Sequence, residues 1–246
     1  MRIDIWSDIV CPFCYVGKRN LEQALAEFEH RDEVEVVWHS FELDPSATEH
    51  PAGSLPEMIA GKYQMSLEQA IASQESLAER AREVGLDFNW RQARYGNTFD
   101  AHRVIHYAAE QGLASAAEEA FKLAYFTQGR SVQDHESILD IASEIGLDTA
   151  EVEAVLKSDR YAADVCADEQ LARQLGINGV PFFLIESKWA VSGAQPAEAL
   201  VQALRQVWEE THRVEFLNPL AGAAGDAAGN NAAEAGPSCD MNGNCS

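Results

Sequence analysis

The sequence has few basic residues, few cysteines and no long apolar run. Of its 246 residues, 18 are Lys or Arg and 40 are Asp or Glu, so the formal net charge is −22. Such a charge repels phosphate backbones and anionic lipid headgroups, and we therefore expect neither a nucleic-acid partner nor a membrane one. No run approaches the ~18 consecutive apolar residues that a membrane-spanning helix needs. A hydrophobic content of 46% nevertheless allows a sizeable core.

The five cysteines are too sparse for a secreted scaffold held by disulfides. A strand-like segment begins at Arg2, which leaves no room for a cleaved leader, so we expect a cytoplasmic location. In a reducing compartment, closely spaced cysteines are more often catalytic or metal-binding than structural. Cys166 stands alone in a helical pattern, where a cysteine usually serves as a small buried hydrophobe.

Apolar periodicity predicts an α/β protein with a helical insertion. Residues 3–7 and 34–41 are typical of strands and flank a helical pattern, which gives a β–α–β opening. Strand patterns at 182–185 and 190–192 and a helix at 196–212 give a β–β–α ending. The predicted divisions are an α/β domain from 1–55 and 176–216, five or six helices at 56–175, and a flexible Ala/Gly-rich tail at 217–246.

Local signals mark several helix ends. A glycine followed by an apolar residue predicts a left-handed helix terminus at Gly85, Gly112, Gly146 and Gly176. Helix starts carry the spacing of a capping box, Ser66 with Gln69 and Asp148 with Glu151.

The Cys11-Pro12-Phe13-Cys14 motif lies where the first strand meets the first helix. A helix N-terminus stabilises a thiolate, and Pro at the first helical position favours helix initiation there. Cys14 is about one turn on, within reach of Cys11. The pattern therefore predicts Cys11 as the attacking thiol and Cys14 as the resolving thiol in thiol–disulfide exchange. The alternative is half of a zinc site, which would need two more ligands, and Cys239 with Cys245 are candidates.

Two motifs resemble those of a known family, Cys11-Pro12-Phe13-Cys14-Tyr15 and Gly179-Val180-Pro181-Phe182. Together with the β–α–β, helical insertion, β–β–α order, they resemble thioredoxin-fold oxidoreductases of the DsbA superfamily. Residues 8–11 and 97–103 are similar to the cytoplasmic FrnE-like branch. Kappa-class glutathione transferases and 2-hydroxychromene-2-carboxylate isomerases share the layout but use serine where this chain has Cys11.

The resemblance implies a thioredoxin-like fold and dithiol–disulfide oxidoreductase and isomerase activity on unfolded or thiol-containing proteins. It implies a cis Pro181 beside Cys11, with the backbone of Val180 free to pair with an extended substrate. Pro12 and Phe13 are expected to contact that substrate. No cofactor is expected beyond the redox-active disulfide itself. Glutathione is a candidate electron partner, and a thiol reductant or oxidant is needed in any case.

Other residues are secondary candidates. Cys239 and Cys245 at the end of the tail predict a second redox pair. The 22 residues from Leu217 to Cys239 have a reach of ~25 Å. His102 and His106 have a spacing compatible with metal binding but lack the H-E-x-x-H pattern, so no metal site is predicted. Residues 97–103, His39 and Phe41 are expected to border the cleft. Trp6, Phe13, Tyr15 and Trp38 serve as substrate surface or, more simply, as core.

Overall fold

A four-stranded mixed sheet organises the computed structural model, which describes residues 1–48 and 53–213. Its strands are β1 (Arg2–Ser7), β2 (Glu35–Ser40), β3 (Phe182–Ile185) and β4 (Trp189–Ser192), in the order β2-β1-β3-β4. β1 is parallel to β2 and antiparallel to β3, and β3 is antiparallel to β4. β1 pairs with strands from both ends of the chain, so the two predicted halves form one sheet.

Two helices belong to these halves. α1 (Pro12–Glu27) connects β1 to β2, and a short 3₁₀ turn (Arg31–Glu33) precedes β2. The described residues between β2 and β3 form seven helices, where we predicted five or six: α2 (Leu55–Tyr63), α3 (Leu67–Glu83), α4 (Phe99–Glu110), α5 (Ala114–Phe126), α6 (His135–Glu144), α7 (Thr149–Leu156) and α8 (Ala162–Gln174). The final helix of the described residues, α9 (Ala197–Thr211), follows β4.

The number of helices was underestimated for a local reason. α2 ends at Gln64 and α8 begins after Tyr161, and both residues have positive φ angles, 54° and 62°. Neither break contains a glycine, so the glycine signal did not find it. The four glycines that were predicted to end helices all have φ between 71° and 84°. The capping box of Ser66 with Gln69 is present, and the Asp148 carboxylate accepts from two backbone N–H groups at the start of α7.

α1 is held between two layers. One side of α1 buries Leu21 and Ala24 in a core that includes β1 and α9. On another side, Lys18 Nζ lies 2.7 Å from Glu119 Oε2, and the Tyr15 hydroxyl donates to Glu119 Oε1 at 2.6 Å. Glu119 belongs to α5, so these contacts attach the helix that carries both cysteines to the helical insertion. The division at residues 55 and 176 remains a prediction.

A larger apolar core lies among the helices of the insertion. Its fully buried members include Val104, Phe121, Ile138, Ile141 and Val152. Ile138 and Ile141 are three residues apart on α6 and therefore lie on the same side of that helix. Within the described residues, no helix has both the length and the apolar character required to cross a bilayer.

Candidate active site

Cys11 occupies the N-cap position of α1. Its backbone is extended, with φ −86° and ψ 113°, and Pro12 follows at the start of the helix. The Cys11 carbonyl oxygen accepts from the Cys14 N–H at 3.1 Å, which is the first turn of the helix. Cys11 thus lies at the N-terminus of α1, as the motif predicted. The positive end of the helix dipole favours a thiolate at that place.

The two thiols differ in their surroundings. Cys11 is 3% exposed and lines a cavity, whereas Cys14 is 1% exposed and does not. Burial raises the pKa of Cys14 well above its ordinary value, and the hydrogen bond and charge of Cys11 add to the effect. The raised pKa disfavours ionisation of Cys14, and only Cys11 borders the cavity. The different environments match the different roles that we predicted for the two thiols.

A buried cation interacts electrostatically with Cys14. Lys122 of α5 is fully buried and forms an ion pair with Glu118, one helical turn earlier. Burial opposes the charge on Lys122, but the carboxylate of Glu118 and the Cys14 sulfur outweigh it and raise the pKa of Lys122. The Lys122 charge in turn favours the thiolate of Cys14. Our sequence analysis missed this pair, although both residues lie among Ala117, Phe121 and Ala124 on an apolar helix face.

The Val180–Pro181 peptide bond is cis, as the resemblance implied. The Cys11 thiol donates to the Val180 carbonyl oxygen at an Sγ–O distance of 3.5 Å. α1 approaches this turn closely because residue 17 is glycine. A Cβ atom on Gly17 would lie 2.9 Å from Pro181 Cγ and 3.4 Å from Phe183 Cζ. Sequence reasoning also missed Gly17, since its small size matters only through this tertiary contact.

An open cavity of about 560 Å³ begins at Cys11. Cys11, Pro12, Phe13 and Val180 line it on the side of the sheet, so the predicted substrate residues meet there, except Pro181. Helices α2 and α3 form another wall, with apolar residues such as Met58, Ile59 and Leu77, the polar residues Ser73, Gln74 and Ser76, and two cations, Lys62 and Arg80. Phe13 is 46% exposed, which makes it an apolar surface beside the reactive sulfur. Trp6 and Tyr15 are buried, in agreement with the simpler interpretation of those aromatic residues.

Residues 97–103 support the site from behind and do not line the cavity. His102 is buried, and its Nε2 lies 3.4 Å from Asp8 Oδ1, although neither ring nitrogen completes a hydrogen bond within the described residues. Burial opposes the charge on His102, but Asp8 outweighs it and raises the pKa of His102. Asp8 Oδ2 also accepts from the Leu43 N–H at 2.8 Å, and the Asp8 carbonyl oxygen accepts from the Cys11 N–H at 3.3 Å. Asp8 therefore links α4 to the loop that carries Cys11.

His39 and Phe41 do not line the cavity, contrary to our expectation. The His39 ring lies between two carboxylates, 2.8 Å from Asp4 Oδ1 and 2.6 Å from Asp168 Oδ1. It also stacks on Trp6 with a centroid separation of 4.5 Å. His106 contacts Asp168 as well, with 3.1 Å between Nε2 and Oδ2. β2 presents His39 to α8, so its ring is used in packing α8 against the sheet.

Two further expectations concern the remaining cysteines. Cys166 is exposed, so the prediction of a small buried hydrophobe was wrong: its position on α8 faces away from the core. Cys239 and Cys245 lie outside the described residues.

Within the described ranges, no group of three or more His, Cys, Asp or Glu side chains is arranged to hold a metal ion. His102 and His106 accordingly contact different carboxylates.

Comparison with known proteins agrees with this geometry. Residues 2–205 match the model of the DSBA-like thioredoxin domain. The chain belongs to the DSBA-like thioredoxin domain family. It is thus a member of a family of thiol–disulfide oxidoreductases, which confirms the predicted superfamily and fold. The assignment to the FrnE-like branch remains a prediction.

Individual relatives support the family assignment. The crystal structure of the probable DsbA oxidoreductase SCO1869 from Streptomyces coelicolor is 43% identical, with a TM-score of 0.83 over 100% of this chain and 98% of that chain. The uncharacterized protein YwbO of Bacillus subtilis (strain 168) is 29% identical over 188 residues, 75% of this chain and 86% of YwbO. A 2-hydroxychromene-2-carboxylate isomerase shares the fold, at 16% identity and TM-score 0.66 over 86% and 98% of the two chains.

Proposed function

We propose that this DSBA-like protein is a thiol–disulfide oxidoreductase with disulfide isomerase activity, and that it acts on protein thiols through Cys11 and Cys14. The observation that carries the proposal is the asymmetry of the pair. The Cys11 sulfur lies at a helix N-terminus and at the wall of an open cavity, whereas Cys14 is buried behind it. Such an arrangement separates an attacking thiol from a resolving one.

The exchange proceeds in two displacements. The Cys11 thiolate attacks one sulfur of a substrate disulfide, so a Cys11–substrate bond forms and the other substrate sulfur leaves as a thiolate. Cys14 then loses its proton and attacks the Cys11 sulfur, which releases the second substrate thiol. The substrate gains two electrons and the enzyme pair becomes a disulfide. Oxidation of a dithiol follows the reverse path. In isomerisation, a thiol of the substrate itself resolves the mixed disulfide.

The surroundings of Cys14 suit this order of events. Its raised pKa keeps Cys14 protonated until the negative charge on Cys11 is consumed in the mixed disulfide. From then on, the hydrogen bond and charge of Cys11 no longer oppose ionisation. The buried ammonium of Lys122 favours the Cys14 thiolate at that stage. Cys14 is thus activated when it is needed.

The substrate meets Cys11 beside Val180 and the cis Pro181. An extended chain pairs with the Val180 backbone as an added strand, and Phe13 provides apolar contact. Unfolded proteins with accessible cysteines are suitable substrates. A low-molecular-weight thiol such as glutathione serves as electron partner, and a reducing cytoplasm is the proposed location. Neither a further cofactor nor a metal is required by this chemistry.

Cysteine substitutions test the proposal, with Cys166 as a matched control. Cys14→Ser should accumulate a mixed disulfide when a protein substrate that contains a disulfide is added, because the resolving thiol is missing. Cys11→Ser should form no adduct and should lose insulin reduction. Cys166→Ser should behave like the wild type, since Cys166 is exposed on α8 away from the cavity. Retained exchange in Cys11→Ser would refute the assignment of the nucleophile.

The tail is proposed to carry a second redox pair. Cys239 and Cys245 exchange with Cys11 and Cys14 in this scheme, because a tethered thiol acts at an effective concentration on the order of mM. Truncation after Pro219 should then change the redox titration of the Cys11–Cys14 pair. An identical titration for the full and truncated chains would remove the relay and leave the activity of the first pair in place.

A glutathione-dependent isomerase or transferase is the second candidate function. The fold shared with 2-hydroxychromene-2-carboxylate isomerase favours it, but that reaction class uses serine at the position of Cys11 and needs no Cys14. Glutathione conjugation that survives in Cys11→Ser, without insulin reduction by the wild type, would select this alternative. Zinc binding by Cys11, Cys14, Cys239 and Cys245 would instead be detected as a stoichiometric metal that thiol alkylation releases.

A further inference from the structure

We infer that the cavity beside Cys11 selects protein substrates in which an acidic side chain lies close to the reactive cysteine, with Lys62 and Arg80 as the specificity-determining residues. The inference rests on the proposed function, because it concerns the substrate of that same site. The substrates inferred here are polypeptides with two features. Their apolar side chains pack against the wall of the cavity, and their carboxylate pairs with its cations.

The charge of the cavity is opposite to that of the whole chain. The sequence has 40 acidic and 18 basic residues, so a random stretch of surface carries more carboxylates than cations. Among the described residues that line the cavity, two are cations and none is Asp or Glu. A local positive potential in an otherwise anionic protein attracts a ligand with negative charge and excludes one with positive charge.

Both cations are available to a ligand. Arg80 is exposed and forms no hydrogen bond or ion pair within the described ranges. Lys62 is also exposed, and Lys62 Nζ donates to the Leu43 carbonyl oxygen at a long distance of 3.5 Å. The nearby carboxylate of Asp44 already accepts from the Ser46 and Tyr95 hydroxyl groups, at 2.7 and 2.8 Å. Arg103, by comparison, pairs with Asp100 at 2.7 Å and is buried.

The apolar wall favours a polypeptide over a small thiol. Met58, Ile59, Leu77 and the half-exposed Phe13 line the same cavity as the two cations. Glutathione has no large apolar side chain to bury against them, whereas an unfolded protein segment does. Methionine side chains adapt to ligands of different shape, which suits an enzyme with many protein substrates. The apolar surface thus provides general affinity and the cations provide selection.

Charge reversal in the enzyme and in the substrate tests the inference. We would measure kcat/KM for reduction of three matched apolar peptide disulfides that carry Glu, Gln or Lys beside the cysteine. For the wild type we expect the Glu peptide to exceed the Lys peptide by about two- to fivefold, in keeping with exposed ion pairs. Lys62→Glu and Arg80→Glu should each reduce or reverse that ratio. Lys157→Glu, an equal charge change on a residue outside the cavity, should preserve it.

The outcomes separate this inference from the proposed function. Turnover of all three peptides at equal kcat/KM would overturn the inference and leave the oxidoreductase assignment intact. A Glu preference that persists in both cavity variants would also overturn it. Charge dependence with glutathione disulfide but not with the peptides would assign the cations to a small thiol instead. Absence of turnover of the Gln peptide by the wild type would refute the proposed function itself.

Discussion

Replacement of Gly17 by alanine should disturb the contact between the helix of Cys11 and the cis-proline turn. An added Cβ would lie 2.9 Å from Pro181 Cγ, although carbon atoms in favourable contact are about 3.5–4.0 Å apart. The proline ring cannot rotate away as the end of a flexible side chain can. α1 and the turn must therefore separate by several tenths of an ångström. Because Cys11 and Val180 belong to these two elements, the distance between the thiol and the carbonyl oxygen changes with them.

Two opposing effects set the magnitude. Alanine is favoured over glycine inside a helix by about 1 kcal/mol. Overpacking of a close contact costs about 1–3 kcal/mol. We expect a net loss of about 1 kcal/mol in the free energy of unfolding for Gly17→Ala. Gly61 in α2 is a matched control, since a Cβ there would meet no atom within 4 Å. Gly61→Ala should therefore stabilise the protein by about 0.5–1 kcal/mol.

Urea unfolding and thiol exchange would be measured on both variants. Gly17→Ala should unfold at a lower urea concentration than the wild type and reduce insulin more slowly, whereas Gly61→Ala should be more stable and equally active. Both substitutions gain the helix propensity of alanine over glycine, so the difference between the two variants reports the steric contact at Gly17 alone. If Gly17→Ala gains as much stability as Gly61→Ala and keeps the exchange rate of the wild type, the close approach of α1 to Pro181 does not exist as described.

Two further predictions concern buried charges. Lys122→Met should lower the free energy of unfolding by about 3–5 kcal/mol because Glu118 is left unpaired in the interior, and Lys122→Met with Glu118→Leu should lose less. Urea titrations of both variants decide this, and equal losses would contradict it. Stability should be greatest at about pH 4–4.5. Burial opposes the charge on His39, but Asp168 and Asp4 outweigh it and raise the pKa of His39. The charged ring therefore stabilises the folded protein fully below about pH 6.5, and this stabilisation is lost as pH rises through the raised pKa. Burial raises the pKa of Glu42 from 4.5 to about 7. Ionisation of this buried carboxyl therefore also lowers the stability of the folded protein as pH rises from 4.5 to about 7. On the acid side, hydrogen bonds from His106 and His39 outweigh burial and lower the pKa of Asp168 to about 2, so stability falls between pH 3.8 and 2. Unfolding at pH 3, 5 and 8 would test this dome, and a rise from pH 5 to 8 would refute it.

Most of the secondary structure could be predicted from local patterns. The alternation and β-branched content of residues 34–41 correspond to β2, and the apolar run at 182–185 corresponds to β3. Glycines that end helices have a definite backbone requirement, so four ends were found correctly. Gln64 and Tyr161 adopt the same positive φ without being glycine, so the glycine rule found neither the end of α2 nor the start of α8, although the capping box at Ser66 marked the start of α3. A rule based on residue type finds a conformation only where the residue that usually adopts it is present.

The candidate site was predictable in part. Cys11 and Cys14 carry their chemistry in four consecutive residues, so the motif alone indicates which sulfur faces the helix N-terminus. The partners that modify this chemistry come from distant elements. Lys122 is more than a hundred residues away from Cys14, and no spacing rule relates them. The position of His39 at the end of a predicted strand suggested that it borders the cleft. In the structure, both of its ring nitrogens instead lie within hydrogen-bond distance of Asp4 and Asp168.

The amino-acid sequence by itself determined the reactive motif, the order of strands and helices and the acidity of the chain, because each depends on residues close together or on composition alone. Tertiary structure decided the rest. It brought the Val180 carbonyl oxygen to the Cys11 thiol, buried Lys122 with Glu118, and placed Lys62 and Arg80 at one cavity of an anionic protein. Burial and proximity set the free energy of a charge or a thiolate, and both are properties of the folded chain.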